Sequence, residues 1–130
     1  MKSVKSLGVV ELNHVALAVS NLELSNAFFK DVLKLEMLPR PAFDFPGSWF
    51  RLGTTQELHL IGGRKAPRSD ADQQAGHLAL KVADVSVVDA HLKGLGLTYL
   101  GPWKRPDGAT QLFIADPDGN WIEFFSPAYD

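Results

Sequence analysis

The chain has 130 residues, 45% of them hydrophobic and 22% charged, which is the composition of one compact globular domain and excludes a disordered chain. A formal net charge of -2 offers no positive field to phosphate backbones or anionic lipid, so a small molecule is the expected partner, with no nucleic acid and no membrane. With no cysteine, disulfides and thiolate metal sites are excluded, and any metal must be held by imidazole nitrogen and carboxylate oxygen.

The N-terminal stretch MKSVKSLGVVELNH lacks a long apolar run with a small-residue cleavage site. No later stretch approaches the roughly 20 apolar residues of a membrane span. A cytoplasmic protein with a single domain over 1–130 is therefore expected. Residues 12–19 alternate, with Val15, Leu17 and Val19 on one face and His14, Ala16 and Ala18 on the other, the period of a half-buried strand. An amphipathic helix follows, its apolar stripe Leu24, Phe28, Val32 and Leu35 opened by Ser20 or Asn21 as N-cap. Three short strands are expected near Glu36 to Pro39, Ser48 to Leu52 and Glu57 to Ile61. The run PAFDFPGSWF carries Phe43, Phe45, Trp49 and Phe50, which suit a pocket wall as well as they suit a core or a subunit interface.

The polar stretch GGRKAPRSDADQQA reads as a linker. It divides the chain into module one at about 12–62, a linker at about 63–75 and module two at about 76–127. HVALAVSNLELSNAFFK at 14–30 aligns with HLALKVADVSVVDAHLK at 77–93, matching His14 with His77, Leu17 with Leu80 and Lys30 with Lys93, so one supersecondary unit is used twice. In the second unit the helical stripe is Val85, Val88, Leu92 and Leu95, with Asp84 as N-cap. Strands are expected near Thr98 to Gly101, Thr110 to Asp116 and Asn120 to Ser126. The turn Asp116-Pro117-Asp118-Gly119-Asn120 joins the last two as a hairpin.

Strand parity places His14 and His77 opposite the Val and Leu stripes that cover the helices, with small alanines beside them that leave space. His59 and Glu123 take matching places on the last strand of each unit. Two units related by a pseudo-twofold axis would then face three imidazoles and one carboxylate toward one another, a set suited to zinc, nickel, cobalt, manganese or iron. Glu57 shares the parity of His59 and is its rival for the fourth position. His91 lies on the second helix with no positional partner and reads as a surface residue. Arg51, Trp103, Arg105, Gln111 and Phe113 are candidates for substrate contact, as are Arg64, Lys65 and Arg68 of the linker, since guanidinium groups hold carboxylates and phosphates bidentately.

LNHVALAV, ELHLI, GHLALKV and DPDGNWIEFF together resemble the vicinal oxygen chelate superfamily over residues 12–127. That superfamily includes glyoxalase I, methylmalonyl-CoA epimerase, extradiol dioxygenases, fosfomycin-resistance thiol transferases and bleomycin-binding proteins. The resemblance implies an α+β fold, two tandem βαβββ modules forming a concave, partly closed eight-stranded mixed sheet around one divalent ion. His14, His77 and Glu123 match its ligand positions. His59 stands where glyoxalase I typically has glutamate. This imidazole is then a fourth ligand, a proton carrier beside the metal, or a neighbour of a two-His-one-carboxylate iron triad. The implied activity is that of a lyase, isomerase or epimerase acting through a metal-bound enediolate or enolate, with His59 and Glu123 catalytic. The alternatives are an iron-dependent extradiol-type dioxygenase and a metal-free drug- or metabolite-binding protein. Clefts in this superfamily often form between chains, so a homodimer is expected.

Overall fold

The computed structural model describes residues 3–63 and 72–128. Arg64, Lys65 and Arg68 of the linker lie outside the described residues. Module one runs β1 (His14–Ala18), α1 (Leu22–Ala27), β2 (Met37–Leu38), β3 (Gly47–Leu52) and β4 (Gln56–Ile61). Module two repeats it as β5 (Leu78–Lys81), α2 (Val85–Gly94), β6 (Leu100–Lys104), β7 (Thr110–Ala115) and β8 (Trp121–Ser126). The α+β class and the paired βαβββ modules are as the repeat predicts. The eight strands fall into two four-stranded mixed sheets, in the orders β1-β4-β3-β2 and β5-β8-β7-β6.

In each module the first strand pairs parallel with the last, which a helical crossover makes possible, and the remaining pairs are antiparallel. Alternation then sorts the side chains. Leu58 and Leu60 of β4, Phe50 of β3, Leu112 of β7 and Ile122 of β8 are fully buried against the helices, with Val15, Leu17, Leu78 and Leu80 packed around them. The opposite faces carry His59, Trp49, Glu123 and Phe113. Phe50, grouped above with the pocket aromatics, therefore belongs to the core.

Two local departures shape the molecule. The first helix continues past Ala27 as a π-helical turn, Phe28–Val32, closed by Leu33 N–H donating to the Phe28 carbonyl at 3.0 Å. The extra residue in that turn moves the apolar stripe out of phase. Leu24 consequently lies 57% exposed, while Ser25 and Phe29 face the core. The sixth strand sits later than expected because it is built through a bulge at Gly101-Pro102, where proline donates nothing to the ladder. A Cβ on Gly101 would lie 2.9 Å from the Gln111 carbonyl oxygen. The bulge brings Trp103 opposite Gln111.

Asn21 caps α1, its Oδ1 accepting from Leu24 N–H at 3.0 Å, and Asp84 caps α2 as expected. Ser20 is thereby free for another role. Its Oγ–H donates to Asp118 Oδ1 at 2.6 Å, tying the start of α1 to the β7–β8 turn of the other module. A second tie comes from His91, expected at the surface but half-buried. The last turn of α2 packs against the end of the π-helical turn, and His91 Nε2–H donates to the Val32 carbonyl at 2.8 Å.

Asp116 organises the β7–β8 turn, accepting from Asp118 N–H (3.0 Å), Asn120 N–H (2.7 Å) and Asn120 Nδ2–H (3.0 Å). Burial pushes its carboxyl above the ordinary range, outweighing the pull of the Asn120 and Asp118 hydrogen bonds. Asp116→Ala leaves those donors unpaired and is expected to cost about 1–3 kcal/mol in denaturant unfolding. Because the folded carboxyl holds its proton more tightly than the unfolded one, the stability Asp116 contributes is full below the ordinary carboxylate value. It falls as pH rises through the raised folded value. The gap between wild type and Asp116→Ala should therefore narrow with rising pH, and a gap that widens would contradict this.

Candidate metal centre

In module one, His14 on β1 and His59 on β4 stack face to face, ring centroids 4.2 Å apart. Trp49, the cross-strand partner of His59, covers the other side of that imidazole at 4.2 Å and an interplanar angle of 5°. His59 is thus clamped between two rings. Its Nε2–H donates to Glu57 Oε1 at 2.9 Å, and Arg51 Nη1 lies 3.7 Å from Glu57 Oε2. His14 Nδ1–H donates to Asn13 Oδ1 at 2.7 Å, which leaves Nε2 as the free acceptor. The aromatic row extends outward through Phe43, 6.1 Å from Trp49, to Phe45, with the Arg40 guanidinium over both phenylalanine rings.

In module two, His77 Nδ1–H donates to the Gln73 carbonyl at 2.6 Å, and Nε2 lies 3.0 Å from Glu123 Oε1. A backbone carbonyl only accepts, so Nδ1 carries a proton and Nε2 is the ring nitrogen presented to the carboxylate. A proton or a metal ion can occupy the space between an imidazole nitrogen and a carboxylate oxygen placed in this way. Glu123 is only 4% exposed, and its other oxygen accepts from Gln111 Nε2–H at 3.3 Å. Phe113 meets the His77 ring edge-on, with centroids 5.5 Å apart.

Register settles which residues are equivalent. Ala16 pairs with His59 in module one and Ala79 with Glu123 in module two, so His59, rather than Glu57, occupies the position of Glu123. Trp49 and Phe113 are likewise equivalent.

The donor atoms suit a divalent ion. His77 Nε2 and Glu123 Oε1, 3.0 Å apart, would be two of its donors, imidazole nitrogen and carboxylate oxygen being suited to first-row metals. The structure brings His14 together with His59, and His77 together with Glu123. It does not gather the four: among the described residues no three His, Asp or Glu side chains of one chain group closely enough to hold an ion.

A cavity of about 320 Å³ opens over the second pair, lined by Gln74, Trp103, Arg105, Gln111 and Phe113 beside His77 and Glu123. Four of the proposed substrate-contact residues thus converge there. The fifth, Arg51, lies in module one against Glu57. Arg105 is held by Asp107 at 2.6 Å and lies over the Phe125 ring. The sequence reading missed Asn13 and Gln73 as imidazole partners and Trp49 as the clamp on His59. Strand parity, which puts Trp49 on the His59 face, was the available signal for the last.

The family model described as Glyoxalase/Bleomycin resistance protein/Dioxygenase superfamily matches residues 11–124. A lactoylglutathione lyase from Neisseria meningitidis is 32% identical over 127 residues, spanning 88% of this chain and 89% of that protein. Glyoxylase I 4 from Arabidopsis thaliana is 29% identical over 124 residues, covering 90% and 71%. A crystal structure of lactoylglutathione lyase from Agrobacterium tumefaciens superposes with a TM-score of 0.72 at 25% identity, covering 89% of this chain and 92% of the other. Among the described residues no helix is long and apolar enough to cross a membrane.

Proposed function

We propose, from the premise that this chain belongs to the Glyoxalase/Bleomycin resistance protein/Dioxygenase superfamily, that it is a divalent-metal-dependent enzyme moving a proton on a small oxygenated substrate. The lyase named among its relatives supports enzymatic chemistry of this kind. The observation that carries the reading is the Nε2 of His77 set 3.0 Å from the buried carboxylate of Glu123, its Nδ1 held by the Gln73 carbonyl. His14, His77 and Glu123 would hold the ion, which when bound supplies Lewis acidity to two adjacent substrate oxygens.

The remaining work belongs to the chain's own side chains. Glu57 accepts the Nε2–H of His59, leaving Nδ1 as the atom able to take a proton from a carbon next to a carbonyl. Trp49 and His14 hold that ring in plane. Gln111 fixes Glu123, and Trp103 and Arg105 orient the substrate at the cavity rim. The chemistry is therefore lyase, isomerase or epimerase chemistry rather than oxygen insertion.

The two donor pairs lie apart within one chain, so the complete site forms when module one of one copy meets module two of another in a homodimer. Subunit mixing tests this. His14→Ala/His59→Ala and His77→Ala/Glu123→Ala should each bind no zinc alone, while their equimolar mixture regains about a quarter of the wild-type metal, since half of randomly formed dimers carry one intact site. Metal in wild type but none in the mixture would place the site within one chain. A wild type free of metal after purification without chelator would leave a metal-free binding protein instead.

A further inference from the structure

Behind β8, on the face opposite Glu123, a cleft of about 360 Å³ runs between the two modules. Phe124, Leu33, Val88 and the fully buried Leu92 are among the residues that line it. The volume is that of a small-ligand pocket, and the lining is almost wholly apolar. Its polar members are Lys34 and His91, with no carboxylate among them. His91 is already spent on the Val32 carbonyl. Lys34 is not spent: among the described residues no carboxylate pairs with it. Its backbone also stands at φ 60, a left-handed conformation usually left to glycine or asparagine at a helix end. An adjoining cavity of about 440 Å³ shares Leu33 and Phe124 and adds a second lysine, Lys81, again with no carboxylate in its lining.

An apolar cleft with an ammonium and no carboxylate at its edge discriminates among occupants by charge. A neutral apolar molecule gains burial alone, an ammonium is repelled, and a carboxylate gains both burial and a charge-assisted hydrogen bond. We propose that this cleft binds a small carboxylate with an apolar body, its charged end on Lys34. The site is separate from the metal centre and does not depend on it.

The test uses the full-length protein in the presence of chelator, with 1-anilinonaphthalene-8-sulfonate as fluorescent reporter and octanoate, octanol and octylammonium as competitors. Octanoate should displace the reporter best, saturating at one site per chain. Lys34→Gly, which glycine tolerates at this backbone angle, should weaken octanoate about fivefold and leave octanol unchanged. Val87→Glu, at an exposed position on the cleft rim, should weaken octanoate at least tenfold by like-charge repulsion. Equal displacement by octanol and octanoate, or unchanged octanoate binding in both variants, would overturn the proposal.

Discussion

Glu123→Gln is expected to lower zinc affinity by more than about a hundredfold while leaving the metal-free protein folded. Glutamine keeps the volume and the contact with Gln111, so the fold loses little. It removes the charge that a bound cation would meet beside His77 Nε2. Removing one ligand exceeds the ten- to hundredfold loss typical of changing a residue that merely supports one. Thermal unfolding with and without zinc gives the readout, because an ion that binds only the folded state raises its stability in proportion to RT ln(1 + [L]/Kd). Wild type should shift upward with zinc and the variant should not. Equal shifts in both would remove Glu123 from the site.

His59→Gln should separate rate from metal retention. His14, His77 and Glu123 remain, so zinc content is expected to stay within about tenfold in affinity, whereas loss of a positioned proton carrier costs about 10² to 10⁴ in rate. The geometry favours this division. His59 Nε2–H donates to Glu57 at 2.9 Å, and the ring is clamped by Trp49 and His14 as an oriented imidazole. Solvent deuterium exchange next to the carbonyl of hydroxy acids, oxo acids and thioesters is the assay. Metal lost along with activity would make His59 an ordinary ligand, and oxygen consumption with catechols without exchange would favour the dioxygenase reading.

The doubled architecture was legible because hydrophobic alternation and the His14/His77 and Leu17/Leu80 matches survive in both halves, and those signals are local and periodic. What sequence could not convey was phase and reach. The π-helical turn at Phe28–Val32 displaces Leu24 from the core, and no residue type marks such an insertion. His91 looked partnerless because its acceptor, the Val32 carbonyl, is a backbone atom 59 positions away. The four candidate ligands lie on the strand faces opposite the core, as alternation predicts. Whether they meet within one chain or between two was open in the sequence, since parity fixes a face and says nothing of which sheet stands opposite.

The shared register of His59 and Glu123 also bears on how such a protein diversifies. A gene duplication that begins with two identical modules must begin with the same residue at that position in both. Once an imidazole stands in one copy and an acid in the other, each can be altered by a single codon change without disturbing its twin. The rim around Trp103 and Arg105 belongs to one copy and the clamp around His59 to the other. The surroundings of the two positions can then change one at a time, a freedom that an assembly of identical single modules would lack.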